Sequence, residues 1–292
     1  MAAPNVSFPA VHVRNILFAT DFSECSRRAI PYVTSLARKF GSSVHLCHVA
    51  TPSQLTTGAP EVAPSLDESE RQSSAEELNE IVRRPEFKGL NVKTILACGI
   101  LRDELITVIN DNKIDLIVVG THGRTGIRRP ALGSVAEQIC RIASCPVLTV
   151  GPNIALNDLT LFQRILVPTD FSEESTKILP HVLDIAREYG ATITLLRVIP
   201  PDAAVGIDAK ILTESLSQTL QKVFAKEGLE HRPQFLIEVG HPAEAILSVA
   251  EKNKSDLIAI GIRRAFAPSI QLHSGTVDQV MVGASCPVLT CR

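Results

Sequence analysis

Short apolar runs alternate with amphipathic stretches along the whole chain. In the first half the apolar runs fall near 15–20, 43–49, 91–97, 116–120 and 146–150, with helical periodicity near 23–40, 68–84, 101–112 and 134–143. The run Leu116-Ile-Val-Val119 has the consecutive apolar positions of a strand buried on both faces. Strands separated by helices predict a parallel sheet with right-handed crossovers, hence an open α/β sandwich with helices on both faces. The second half repeats the order, with strands near 164–168, 192–198, 234–238, 257–261 and 287–291.

The repetition extends to individual residues. Arg14-Asn-Ile-Leu-Phe-Ala-Thr-Asp21-Phe-Ser23 matches Arg164-Ile-Leu-Val-Pro-Thr-Asp170-Phe-Ser172, and Ala143-Ser-Cys-Pro-Val-Leu-Thr149 recurs letter for letter as Ala284-Ser-Cys-Pro-Val-Leu-Thr290. Asp115-Leu-Ile aligns with Asp256-Leu-Ile between them. Matches at fixed spacing over a whole half indicate duplication of a complete folding unit. The chain therefore reads as two domains, 1–151 and 163–292, joined between Gly151 and Phe162. The closing strands 146–150 and 287–291 are apolar and would be aggregation-prone edges if left open. Pairing them within one chain would cover both, an intramolecular pseudo-dimer, and a further homodimer is compatible with it.

In such sheets ligands collect beyond the carboxyl ends of the strands, where the winding direction reverses. Asp21 follows the first strand and Gly120 closes the fourth, so both lie at that end. Between the fourth strand and the next helix runs Gly120-Thr-His-Gly123-Arg-Thr-Gly126-Ile-Arg-Arg-Pro-Ala-Leu-Gly133-Ser134. Glycines let backbone amides approach an anion, and the amides opening a helix add a favourable dipole. Arg124, Arg128 and Arg129 share the loop with no acidic residue, so it is electropositive. It is not a Walker A loop, because no lysine precedes Ser134. Asp21 has two readings: it ties down nearby amides, or it accepts from an adenine amino group or ribose hydroxyl. Ser23 reads as a helix cap. The stretch from Ala50 to Leu66, rich in Thr, Pro, Ser and Gly, is a long loop, either a flap over the site or a plain excursion.

A net charge of −2 and a pI near 6.5 give no general attraction to nucleic acid or anionic membrane. No apolar run approaches a membrane span, and the N-terminus lacks a secretory pattern, so a cytoplasmic location is expected. Seven cysteines include no Cys-x-x-Cys pair, and the odd count argues against a disulfide framework. Cys145 and Cys286 read as small core residues. His45 and His48 lie three apart on a strand, which sends them to opposite faces and away from a shared metal.

Thr-Asp-Phe-Ser after the first strand, with Gly-x-x-Gly-x9-Gly-Ser after the fourth, resembles the universal stress proteins, in particular their tandem, ATP-binding members. The resemblance implies strand order 3-2-1-4-5 and a Mg ion beside bound phosphates. It implies that the carboxylate of Asp21 contacts adenosine and that the backbone at Val49 reads the adenine edge. Ala19 and Val119, ending two strands, would flank the ligand. Gly120, His122, Gly123, Arg124 and Gly133, with the helix start at Ser134 and Val135, would hold ribose and phosphates. The second half departs from this pattern. Gly261 keeps the first glycine, but Arg264 stands in place of Gly123, Pro268 changes the loop, and the Gly-Ser pair becomes Ser274-Gly275 or Gly275-Thr276. Nucleotide binding is thus expected to be strong in the first domain and weak or absent in the second, unless Arg263 and Arg264 replace the amide contacts.

The expected function is a cytosolic ATP-binding regulator of a stress response, with nucleotide occupancy acting as a switch. Catalytic residues are not expected. Phosphoryl transfer needs a group that positions the nucleophile and a lysine or metal carboxylate, whereas the loop offers arginines, Thr121, Thr125 and His122. A slow ATPase and a non-nucleotide interaction protein are the alternatives.

Overall fold

The computed structural model describes residues 12–51, 68–121, 132–154, 161–203, 224, 229, 231–262 and 275–292. They divide into two compact units, one spanning His12–Pro152 and the other running from Asn153 to Arg292.

In the first unit the elements are β1 (Asn15–Ala19), α1 (Glu24–Arg27), α2 (Ile30–Phe40), β2 (Ser43–Ala50), α3 (Glu68–Val82), β3 (Val92–Cys98), α4 (Leu101–Asp111), β4 (Leu116–Gly120), α5 (Ser134–Ile142) and β5 (Val147–Val150). Every pairing is parallel, as the apolar runs predict, and the strands order as β3-β2-β1-β4-β5, as the family resemblance implies. The second unit holds β6 (Arg164–Pro168), α6 (Glu173–Thr176), α7 (Leu179–Tyr189), β7 (Thr192–Ile199), β8 (Gln234–Val239), α8 (Pro242–Lys252), β9 (Leu257–Gly261), α9 (Thr276–Gly283) and β10 (Val288–Cys291). Its order, β10-β9-β6-β7-β8, is the same topology. Central strands are apolar on both faces: Ile16, Leu17, Phe18, Ile117 and Val118 are fully buried, as are Leu166, Val167, Ile258 and Ala259. Helices that carry the chain back to the amino end of the next parallel strand cover both faces of each sheet.

The helical pattern at 23–40 resolves into two pieces, α1 and α2. Pro31 stands in the first turn of α2, where it has no amide to give and its ring would clash with the carbonyl four residues back. The chain responds with a tight turn in which the Ala29 amide donates to the Ser26 carbonyl. Pro180 breaks the second half in the same place. Among the described residues, no helix is long and apolar enough to cross a membrane.

The aligned pair Asp115 and Asp256 proves to be a structural tie at the amino end of each sheet. Asp115 Oδ2 accepts from the amides of Arg14 and Asn15 at 2.8 and 2.9 Å. Asp256 accepts from those of Gln163 and Arg164 at 3.0 and 2.9 Å. Burial raises the Asp256 carboxyl above its ordinary range, against the pull of those two amides.

Candidate functional site

The winding direction in the first unit reverses between β1 and β4, which pair with Ala19 opposite Val119. Beyond their carboxyl ends lies a cleft of about 260 Å³. Ala19, Asp21, Val49, Val119, Gly120, Gly133, Ser134 and Val135 all line it. His122, Gly123 and Arg124 lie outside the described residues, as do Arg128, Arg129 and most of the long loop after Ala50.

One side of the cleft is built by the Thr-Asp-Phe-Ser turn. Phe22 adopts a left-handed backbone, φ 65°, at a cost of roughly 1–2 kcal/mol for a residue with a Cβ. Hydrogen bonds hold it there. The Phe22 amide donates to Thr20 Oγ1 at 3.0 Å, and the Thr20 and Ser26 hydroxyls meet at 3.0 Å in a buried site. Ser26 Oγ donates onward to the Ser23 carbonyl at 2.9 Å, so its proton is committed there and the Thr20 hydroxyl is the donor to Ser26. Ser23 caps α1 by accepting from the Ser26 amide at 3.1 Å, and Asp21 Oδ1 accepts from the Ser23 amide at 3.1 Å. Asp21 thus serves the turn while still lining the cleft, so its two readings are compatible.

Gly120 is glycine for a different reason from the one its sequence context suggests. A Cβ there would lie 2.9 Å from the Ser26 nitrogen and 3.0 Å from the Cys25 carbonyl carbon. The backbone of α1 fills the space, so the missing side chain serves helix-on-strand packing. Gly133 is the N-cap of α5, with extended φ −64° and ψ 148°, and its amide donates to the Thr121 carbonyl at 2.7 Å, bringing the two ends of the glycine loop together. A glycine cap has no side-chain oxygen to offer the first amides of α5, which remain available to an acceptor in the cleft.

The sequence set His48 on the strand face opposite His45 without giving it a place in the site, and did not single out Cys47, Leu101, Leu105 or Ala136; all five also line the cleft. His48 Nδ1 lies 2.8 Å from the Thr20 carbonyl, which can only accept, so Nδ1 carries the proton. The ring packs at a tilt of 37° against Phe22, with centroids 4.3 Å apart. The period-2 alternation of β2 was the available signal, since it places His48 away from His45. His45 is instead buried, with Nε2 3.3 Å from Asn15 Oδ1. Cys47 is buried beneath the cleft and its thiol is pushed up to about 12 by burial and then by Glu104, so it is inert.

The second unit reproduces this frame. Phe171 has φ 63°, its amide donates to Thr169 Oγ1 at 3.0 Å, and the Thr169 and Ser175 hydroxyls meet at 3.0 Å. A Cβ on Gly261 would lie 2.7 Å from Ser175 Cα, and closer still to the Glu174 carbonyl oxygen. Gly275 is the N-cap of α9, so Gly275-Thr276 is the counterpart of Gly133-Ser134 and the loop before it is one residue longer. A cleft of about 520 Å³ opens in the equivalent place. Arg263, Arg264 and Pro268 lie outside the described residues.

The universal stress protein family model matches residues 12–151 and again 161–292. Universal stress protein MJ0531 of Methanocaldococcus jannaschii is 33% identical over 141 residues, covering 47% of this chain and 81% of that protein. Universal stress protein Slr1230 of Synechocystis is 24% identical over 304 residues, 96% of this chain and all of that one. The crystal structure of a universal stress protein from Archaeoglobus fulgidus superposes with a TM-score of 0.76 at 21% identity, covering 96% of this chain and 98% of its own. The chain belongs to the universal stress protein family, of which it carries two domains in tandem.

Proposed function

We propose that this chain is an ATP-binding regulator of a stress response, in which occupancy of the first cleft acts as the switch. The observation that carries the reading is the meeting, at the strand reversal, of an apolar-floored cleft with a helix whose cap is glycine. Adenosine would lie against Ala19, Val49 and Val119, with Asp21 accepting from it. The phosphates would take the amides of Ser134 and Val135 and the positive end of α5. Mg²⁺ enters as the counter-ion of the phosphates. Among the described residues, no group of three or more His, Cys, Asp or Glu is arranged to hold a metal.

Gly133→Asp provides the test, because it has opposite effects on helix and ligand. An aspartate in the observed extended conformation caps α5 by accepting from its first amides, which leaves the fold as stable or a few tenths of a kcal/mol more so. The same carboxylate occupies and repels the phosphate site, so Mg-ATP affinity by titration calorimetry should fall at least tenfold. No heat from millimolar Mg-ATP with the wild-type chain, or undiminished affinity in the variant, would overturn the reading. Multiple turnovers of phosphate release by the wild-type chain would make it an ATPase instead.

A further inference from the structure

The two clefts share a frame and differ in charge. With the helix starts aligned at Gly133 and Gly275, Ala136 in the first turn of α5 corresponds to Asp278 in the first turn of α9. Both residues are buried and both line their clefts. With the strands aligned through Ala19 opposite Cys47 and Pro168 opposite Leu196, His48 corresponds to Arg197, which also lines the second cleft. Asp170 keeps the place of Asp21.

These changes reverse what each end of the cleft accepts. At the helix end, where a phosphate would seek amides and dipole, a carboxylate of the helix itself already provides the negative charge. A second anion there meets like-charge repulsion from a buried carboxylate. At the β7 end, a guanidinium offers five donors in a plane, suited to the acceptor nitrogens and face of a heteroaromatic ring. β7 and β9 are separated by β6, so these two strands lie about 10 Å apart across the sheet. Between them the walls are apolar: Leu196, Val198, Ile246 and Ile260. The space is also wider. Pro168 ends β6 without an amide to donate, and the β6–β9 register stops at Leu166 opposite Ile258, whereas β1–β4 continues to Ala19 opposite Val119.

We propose that the second cleft binds a phosphate-free nucleoside, whose sugar hydroxyls donate to Asp170 and Asp278 and whose base lies towards Arg197, and that Asp278 excludes nucleoside triphosphates from it. The proposal uses the reading of the first cleft for contrast only. The experiment is residue-resolved amide NMR of the full chain titrated separately with adenosine and Mg-ATP. Adenosine should shift the amides of Arg197, Thr276, Val277 and Asp278, while Mg-ATP at the same concentration leaves 276–278 in place. In Asp278→Asn, which keeps the size of the side chain and removes its charge, Mg-ATP should shift 276–278 with a midpoint at least tenfold lower than in the wild type. Mg-ATP moving 276–278 of the wild-type chain as readily as adenosine does, or adenosine leaving them unmoved at millimolar concentration, would overturn the proposal. Ser134 and Val135 report the first cleft separately: their indifference to Mg-ATP would sink the switch reading and leave this one standing.

Discussion

Gly120 and Gly261 close equivalent strands, and each meets the backbone of the short helix that follows the first strand of its unit. Main-chain atoms cannot rotate aside as a flexible side chain can, so alanine at either position must displace the helix. Gly120→Ala should cost about 1–3 kcal/mol, the usual range for overpacking, and Gly261→Ala should cost more because its contacts are shorter. Urea unfolding without nucleotide measures both. No loss of stability in either variant would return these glycines to a purely ligand-facing role. Histidine sets a second expectation at this scale. Burial lowers His181 from its ordinary 6.5, against the opposing charge of Asp184, and burial followed by Lys93 lowers His45 from the same value. The folded state therefore keeps both rings neutral where the unfolded chain takes up protons. Their contribution is present above about pH 6.5 and is lost as pH falls towards the folded values. The urea midpoint should drop between pH 7.5 and 5.5, less steeply in His181→Leu, and a flat profile in that window would contradict the assignment.

At the scale of elements, the strands were legible because their signal is local: apolar runs bounded by polar residues mark β1, β4, β6 and β9. The break between α1 and α2 was less so. Pro31 and Pro180 are first-turn prolines, a recognised sign of a helix beginning, yet apolar periodicity runs through them and masks the new start. The left-handed Phe22 and Phe171 were not legible at all, because nothing about phenylalanine favours positive φ and the cause is a hydroxyl two residues earlier. That turn recurs with nearly the same distances in both units, and an energetic expectation follows. Ser26→Ala and Ser175→Ala each remove the acceptor of a buried threonine hydroxyl and the donor to the capping serine carbonyl. Each should cost about 1–3 kcal/mol, the range for a stranded buried polar group. The two costs should agree within about 0.5 kcal/mol if the duplication extends from geometry to energetics. Denaturant unfolding of the two variants, followed by probes in each unit, would show a mismatch directly.

At the scale of the whole chain, duplication preserved the scaffold and left the cleft free to diverge. The scaffold is specified by residues that pack or bond to the backbone: Asp115 and Asp256, Gly120 and Gly261, and the Thr and Ser pairs. These recur, so the fold could be read twice from one sequence. Cleft chemistry depends on side chains that only the assembled sheet brings together, such as His48 with Phe22, or Arg197 with Asp278. They are far apart in sequence and carry no shared pattern, so while the loop differences at Arg264 and Pro268 were legible, the pairing of Ala136 with Asp278 and of His48 with Arg197 emerged only once strand register and helix starts were fixed. A ligand that recognises one cleft should therefore stabilise one unit. Binding at a hundred times Kd adds about 2.7 kcal/mol, which slows hydrogen exchange through full opening of that unit about a hundredfold. With saturating Mg-ATP, the buried amides of β1 and β4 should slow by this order, while those of β6 and β9 exchange as before. Equal slowing in all four strands would mean that both clefts take the triphosphate, or that the two units open only together. Asp278→Asn separates these cases, since under joint opening the variant gains protection everywhere and under separate opening only in β6 and β9.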